Sequence, residues 1–256
     1  MPERRLTSAA IRARKAASFA VMTAYDATFG RCVEEAGIDV ILVGDSLGMV
    51  VLGYPSTVEV GLDDMLRHVG AVARGTRHAH VIGDLPFGSY EASDADAVGA
   101  AVALVKAGAE SVKLEGGVRS AARIAAIVNA GIPVMGHIGV VPQTAALDAG
   151  FRRKADAAAL MADARAVEAA GAYAVVLEMV DARIAADITA SLAVPTVGIG
   201  SGPACDGQVL VLYDALGLYP EAPPFAKRFG ELGAAAVEAL RAYAAAVRAG
   251  TFPPKS

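Results

Sequence analysis

The chain has 256 residues, enough for one barrel or one doubly wound domain with a sizeable core. A formal net charge of -4 and a pI near 5.6, with Lys and Arg scattered along the chain, exclude the basic field that a nucleic-acid partner requires. The apolar runs are all broken well short of the roughly 18 to 20 residues of a membrane span, so no membrane partner is expected either. Cys32 and Cys205 stand far apart with no Cys-x-x-Cys spacing, which gives neither a disulfide framework nor a zinc motif and makes a reduced cytoplasm the expected compartment.

In chain order, residues 1–15 are basic and are not followed by a signal-peptide core, so they read as a helix. Short β-branched runs then recur at 19–25, 40–44, 80–84, 111–114, 134–137, 174–177 and 196–199, with a weaker eighth at 209–213. They are apolar on successive residues, as expected of strands covered on both faces. Ala-rich helical windows lie between them, among them 97–106, 120–129 and 156–170. Several end in Ala-Gly, at Gly37, Gly108, Gly131 and Gly171, the residue that best turns a helix end toward a strand. Strands alternating with helices predict parallel pairing. The expected fold is therefore α/β, a (β/α)8 TIM barrel forming a single domain over 1–256. Pro220, Pro223 and Pro224 set off residues 220–256 as a C-terminal helical extension, with a helix near 229–249.

Polar residues follow the predicted strands. Asp45-Ser46, Asp84, Lys113 with Glu115, His137, Glu178 and the glycine run 198–202 all fall at C-terminal strand ends, which a closed parallel barrel gathers at one mouth. Asp45, Asp84 and Glu115 would repel one another there unless a hard divalent cation joined them, and oxygen-only ligands suit magnesium. The plainer reading makes Asp45 and Asp84 caps of the helices that follow. Glu178 is placed to be a buried carboxylate suited to general-base work, or else an ion-pair partner of Lys113 or an arginine. Lys113 and His137 suit a carboxylate anion or a developing enolate, although a lone His is commonly a core residue. A Schiff-base role for Lys113 is disfavoured, because neighbouring carboxylates keep the amine charged. The 198–202 run would form either a phosphate cradle or a tight turn. His78 and His80 lie at a strand start and read as surface or packing residues, and His68 as exposed or ion-paired on a helix.

These residues sit in blocks that resemble the ketopantoate hydroxymethyltransferase family. The blocks are Met22-Thr23-Ala24-Tyr25-Asp26, Val43-Gly44-Asp45-Ser46-Leu47-Gly48, Leu52-Gly53-Tyr54, Asp63-Asp64-Met65 with His68, and Asp84-Leu85-Pro86-Phe87 with Ser89-Tyr90. They continue with Lys113-Leu114-Glu115-Gly116-Gly117, Gly136-His137-Ile138-Gly139 with Pro142-Gln143, Leu177-Glu178 and Cys205-Asp206-Gly207-Gln208, and so span nearly the whole chain. The resemblance implies a (β/α)8 barrel that moves a hydroxymethyl group from 5,10-methylenetetrahydrofolate to 3-methyl-2-oxobutanoate, giving 2-dehydropantoate on the route to pantothenate and coenzyme A. It implies one Mg2+ per subunit, with Asp45 and Asp84 as direct ligands and Glu115 behind them. Ser46, Lys113 and His137 then match keto-acid contacts, Glu178 the base, and Ser201 a substrate-adjacent position. A homo-oligomer built of high-order rings, such as a decamer, is implied as well, its only other partners being small-molecule substrates.

Departures from the family pattern fall in the 143–154 loop, at Ser201 where Ala is usual, and at Asp181 where Pro is usual. The first of these bears on the donor and on the choice of keto acid. Two rivals share the site. One is a magnesium-dependent lyase of the phosphoenolpyruvate mutase and isocitrate lyase group, whose Lys-x-Cys-Gly-His loop is missing here. The other is a non-catalytic ligand-binding barrel, which has no need of Glu178.

Overall fold

The computed structural model describes residues 5–145 and 152–254, so part of the departing loop, 146–151, lies outside the described residues, as do 1–4 of the N-terminal helical reading. Eight strands close a barrel in sequence order, and the pairings from β1 through β8 are parallel. They are β1 (Phe19–Thr23), β2 (Val40–Val43), β3 (His80–Asp84), β4 (Ser111–Glu115), β5 (Val134–Gly139), β6 (Ala174–Glu178), β7 (Thr196–Ile199) and β8 (Gly207–Leu210). Between and beyond them lie α1 (Ser8–Arg12), α2 (Ala27–Glu35), α3 (Leu47–Val50), α4 (Leu62–Gly75), α5 (Asp94–Ala107), α6 (Ala121–Asn129), α7 (Pro142–Ala145), α8 (Ala157–Ala169), α9 (Ala182–Ser191), α10 (Leu212–Leu216) and α11 (Leu232–Arg248).

Local chemistry sets most of these boundaries. Asp26 accepts from the N–H groups of Thr28 and Phe29 and so ends β1 at Thr23 by opening α2, two residues before the expected strand end at Tyr25. Ser93 and Asp156 cap α5 and α8 in the same way. Asp181 caps α9 through Arg183 N at 3.0 Å, which gives that departure from the family pattern a structural task. The four Ala-Gly helix ends turn as read, with φ of 82° at Gly37, 119° at Gly108, 88° at Gly131 and 97° at Gly171. The N-terminal helix is shorter than expected, since Thr7 caps it and Arg12 ends it.

By its internal contacts the chain divides into two compact units between Val209 and Leu210. In the first, β2, β3 and β4 are buried at every position, one face toward the barrel interior and the other toward helices. Val21, Val40, Leu42, Ile82, Met135, Val176 and Val197 fill the interior, and Ile11 of α1 joins the same cluster. The eighth strand starts two residues before its predicted position and stops at Leu210. Gly207 and Gln208 carry no apolar signal, and the apolar Leu212 and Tyr213 belong to α10. In the second unit, Gly217 ends α10 with φ 62° and its carbonyl accepts from Gly233 at the start of α11. No helix among the described residues is long and apolar enough to cross a membrane.

Candidate active site

Strand register brings the expected residues together. Asp84 and Lys113 are direct neighbours across β3 and β4, and Glu115 and His137 across β4 and β5. Side chains alternate across a strand, so Ser111, Lys113 and Glu115 of β4 share the interior face while Val112 and Leu114 pack outward. Lys113 Nζ donates to Asp84 Oδ1 at 2.7 Å in an ion pair closed off from water. Asp84 Oδ2 accepts from Asp45 N at 3.3 Å, which draws the end of β2 over the pair. Neither Asp45 nor Asp84 caps a following helix: Ser46 occupies the N-cap of α3 and Ser93 that of α5.

The electrostatics of this group are uneven. Burial, with Asp84 and Glu115 close by, pushes the Asp45 carboxyl well above the usual carboxylate range. Burial also raises Asp84, against the pull of Lys113. Burial opposes the charge on Lys113, but Asp84, Glu115 and Asp45 outweigh it and raise the ammonium above its ordinary value, which is the opposite of what a Schiff-base lysine needs. His137 lies between two carboxylates, with Nδ1 3.4 Å from Glu115 and Nε2 3.3 Å from Glu178. Both contacts are within ion-pair range but off the hydrogen-bonding line, and both ring nitrogens are buried without a hydrogen-bond partner. Burial and Lys113 disfavour the imidazolium, yet Glu115 and Glu178 prevail and push its pKa up to about 9.

The structure narrows several of the sequence readings. Of the two readings of Glu178, a buried base or an ion-pair partner of Lys113 or an arginine, neither is met as stated: its side chain is 18% exposed and its charged neighbour is His137. The resemblance implies a substrate-adjacent Ser201. It has no exposed surface, and its hydroxyl donates to Leu177 O (2.7 Å) and lies 3.2 Å from Ile199 O while accepting from Val180 N (3.0 Å). It is a staple between the ends of β6 and β7, beside Met179, whose φ of 48° is unusual for a residue with a side chain. The 198–202 run is the tight turn of its two readings, with Gly200 at φ 62° and Gly202 at φ 82°. His68 is half-buried and its Nδ1 meets Tyr25 O at 2.5 Å; it is neither exposed nor ion-paired. His80 packs inside the barrel. Ser46 stays at the mouth, half-buried, with its hydroxyl 2.8 Å from Tyr25 OH.

Two residues quoted only as parts of blocks prove central. Gln143 Nε2 donates to Asp45 Oδ2 (2.8 Å), and Tyr90 OH donates to Gln143 Oε1 (2.6 Å). A polar Gln four residues beyond the end of β5, in the connection at the barrel mouth, was the available signal. It carried no indication of what the side chain would reach.

The donor set fits a divalent cation held by few protein ligands. Among the described residues no group of three or more His, Cys, Asp or Glu is arranged to hold a metal, so Asp45, Asp84 and Glu115 do not form a closed cage. A pair of carboxylates, with water and substrate oxygens completing the shell, is how magnesium is commonly bound. The raised pKa of Asp45 marks the acidic excess that such a cation would neutralise.

Fold and site together define a parallel-barrel enzyme class with acidic and cationic side chains converging at the C-terminal mouth. The sequence profile described as ketopantoate hydroxymethyltransferase matches residues 5–255. A 3-methyl-2-oxobutanoate hydroxymethyltransferase of Ignicoccus hospitalis is 55% identical over 237 residues, covering 91% of this chain and 90% of the relative. One from Thiobacillus denitrificans is 51% identical over 258 residues, covering 99% and 98%. The chain belongs to the ketopantoate hydroxymethyltransferase family. Its fold is also similar to that of 2,3-dimethylmalate lyase, a member of the phosphoenolpyruvate mutase and isocitrate lyase superfamily, with a TM-score of 0.62 at 17% identity, covering 98% of this chain and 91% of that one. At that identity the likeness speaks for the fold alone.

Proposed function

We propose that the protein transfers a hydroxymethyl group from 5,10-methylenetetrahydrofolate to 3-methyl-2-oxobutanoate, giving 2-dehydropantoate for pantothenate and coenzyme A synthesis in the cytoplasm. The observation that carries this reading is the meeting, at one barrel mouth, of the Asp45 and Asp84 carboxylates, the cationic Lys113 and His137, and a separate, accessible Glu178. Asp45 and Asp84 would hold Mg2+ directly, with Glu115 behind them. When bound, the ion would polarise the keto group and acidify the neighbouring C3–H.

The remaining steps belong to side chains. Ser46, Lys113 and His137 receive the keto acid, whose carboxylate and developing enolate are anionic and match the two cations. Glu178, the most exposed of these carboxylates, removes the C3 proton. His137 at 3.3 Å steadies the Glu178 carboxylate and links it to Glu115. The carbon nucleophile then attacks the methylene carbon of the folate, and the new C–C bond forms as one of that carbon's two C–N bonds breaks and the freed nitrogen takes the proton removed from C3. Water displaces the second nitrogen, its hydroxyl staying on the carbon and its proton going to the nitrogen, as tetrahydrofolate leaves. Ser201 acts through Glu178, by fixing the strand ends beside it.

The protein is also assigned to a homo-oligomer, a decamer by the family pattern. The exposed Leu240, Tyr243 and Val247 of α11 support an assembly in which apolar faces are covered. The reaction is tested by proton NMR of 3-methyl-2-oxobutanoate in deuterated water with enzyme and Mg2+, alongside pyruvate and 2-oxobutanoate. Loss of the C3 signal, and product only when the folate donor is added, is the expected result. Exchange confined to another keto acid would move the substrate, and no exchange with any of them would overturn the reading.

A further inference from the structure

Gln143, the second residue of α7, has no part in the chemistry above, yet its polar groups reach the ends of β2, β3 and β4. Its backbone N–H donates to Glu115 Oε2 at 3.1 Å, and its side-chain Nε2 donates both to Asp45 Oδ2 at 2.8 Å and to Leu85 O at 2.9 Å. Oε1 accepts from Tyr90 OH at 2.6 Å. Gln143 and Tyr90 are both buried, at 2% and 3% exposure.

The orientation of the amide follows from this set of partners. Turned over, Oε1 would face the Leu85 carbonyl, which has no hydrogen to give, and the Tyr90 hydroxyl would lose its near acceptor. Tyr90 has one hydroxyl hydrogen and two acceptors in reach, Gln143 Oε1 at 2.6 Å and Glu115 O at 3.3 Å, and the nearer one receives it. Tyr90 therefore holds Gln143, and Gln143 holds Asp45 and Glu115.

We propose that Tyr90 and Gln143 form a positioning pair for the cation site: Gln143 occupies one oxygen of Asp45 and leaves the other to ligate, and Tyr90 locks the amide that does so. The inference rests on the reading of Asp45 and Asp84 as metal ligands. Hydrogen-bonding groups behind a ligand fix its orientation, and their removal weakens metal binding by about 10- to 100-fold. Tyr90 has no contact of its own with Asp45 among those described, so its effect passes through Gln143.

The test is titration of the metal-free protein with Mn2+, following free Mn2+ by electron paramagnetic resonance, with thermal melting as the check of folding. Gln143→Leu is expected to weaken Mn2+ binding by about 10- to 100-fold and Tyr90→Phe by about fivefold, the loss of one hydrogen bond. The double variant should bind no more weakly than Gln143→Leu alone, because the two residues act in series. Wild-type Mn2+ affinity in the folded single variants overturns the proposal. Fully additive losses overturn the dependence of Tyr90 on Gln143. If Gln143→Leu does not fold, Tyr90→Phe decides alone, by a fivefold loss or by none. Absence of Mn2+ binding in the wild-type protein is a distinct failure, which removes the metal reading and the pair's role with it.

Discussion

The two ends of the barrel carry polar clusters on the same strands, and they are built on opposite terms. At the N-terminal end, His80 Nδ1 meets Leu6 O at 2.9 Å, its Nε2 meets Ser111 Oγ at 2.7 Å, and Ser111 Oγ meets Tyr173 OH at 2.9 Å. A carbonyl can only accept, so Nδ1 carries the hydrogen, Ser111 donates to Nε2, and Tyr173 donates to Ser111. Burial pushes His80 down to about 4, and this chain of hydrogen bonds is uncharged and complete at pH 7. At the C-terminal end, the same β3 and β4 present Asp84, Lys113 and Glu115, all ionisable, beside a His137 with no aligned partner and an Asp45 raised by burial and by the neighbouring carboxylates. Four residues along a strand separate a satisfied plug from an acidic excess. The first end pairs its polar groups internally, and the second keeps an acidic excess that a bound cation would relieve.

That contrast can be broken at either end. The largest stability effect belongs to the mouth. Lys113→Met strands the buried Asp84 carboxylate and should cost about 3–5 kcal/mol at pH 7 in the metal-free protein. Urea unfolding at pH 7 and pH 5 should show the loss shrinking at the lower pH, where Asp84 can take a proton; an equal loss at both would show that the pair is not the cause. At the closed end, His80 has its folded pKa depressed from 6.5 to about 4, so its contribution to stability is present above pH 6.5 and is lost as pH falls through that window to about 4. The full loss is on the order of 3 kcal/mol. His80→Gln should melt with a flatter pH dependence between 7 and 4, and an unchanged slope would place the acid sensitivity elsewhere. Smallest is Ser201→Ala, which removes the staple beside Met179 and should cost about 1–2 kcal/mol. It should slow C3 exchange with little change in the KM for keto acid. A rise in KM with exchange intact would return Ser201 to substrate contact.

The barrel was legible because its strands are short, apolar on both faces and separated by Ala-rich helices with Gly ends; β3 and β7 match their predicted bounds. The eighth strand was misplaced because Gly207 and Gln208 pair by backbone alone, while the more apolar Leu212 and Tyr213 turn into a helix. In the site, Asp45, Asp84, Lys113, Glu115, His137 and Glu178 were legible from their place after strands. Their pairings were not, since the choice of His137 over Lys113 as the partner of Glu178 depends on barrel register. Gln143, Tyr90 and the buried turn of Ser201 act through contacts between residues tens of positions apart, and no local pattern encodes those.

The central claim, that the open end performs proton abstraction through Glu178, is tested most directly by following deuterium exchange at C3 of 3-methyl-2-oxobutanoate in wild-type and Glu178→Gln proteins, with Mn2+ affinity measured on the same samples. The account predicts exchange reduced by about 10²- to 10⁴-fold and Mn2+ binding nearly unchanged. Exchange at the wild-type rate in a folded, metal-binding Glu178→Gln protein would contradict it.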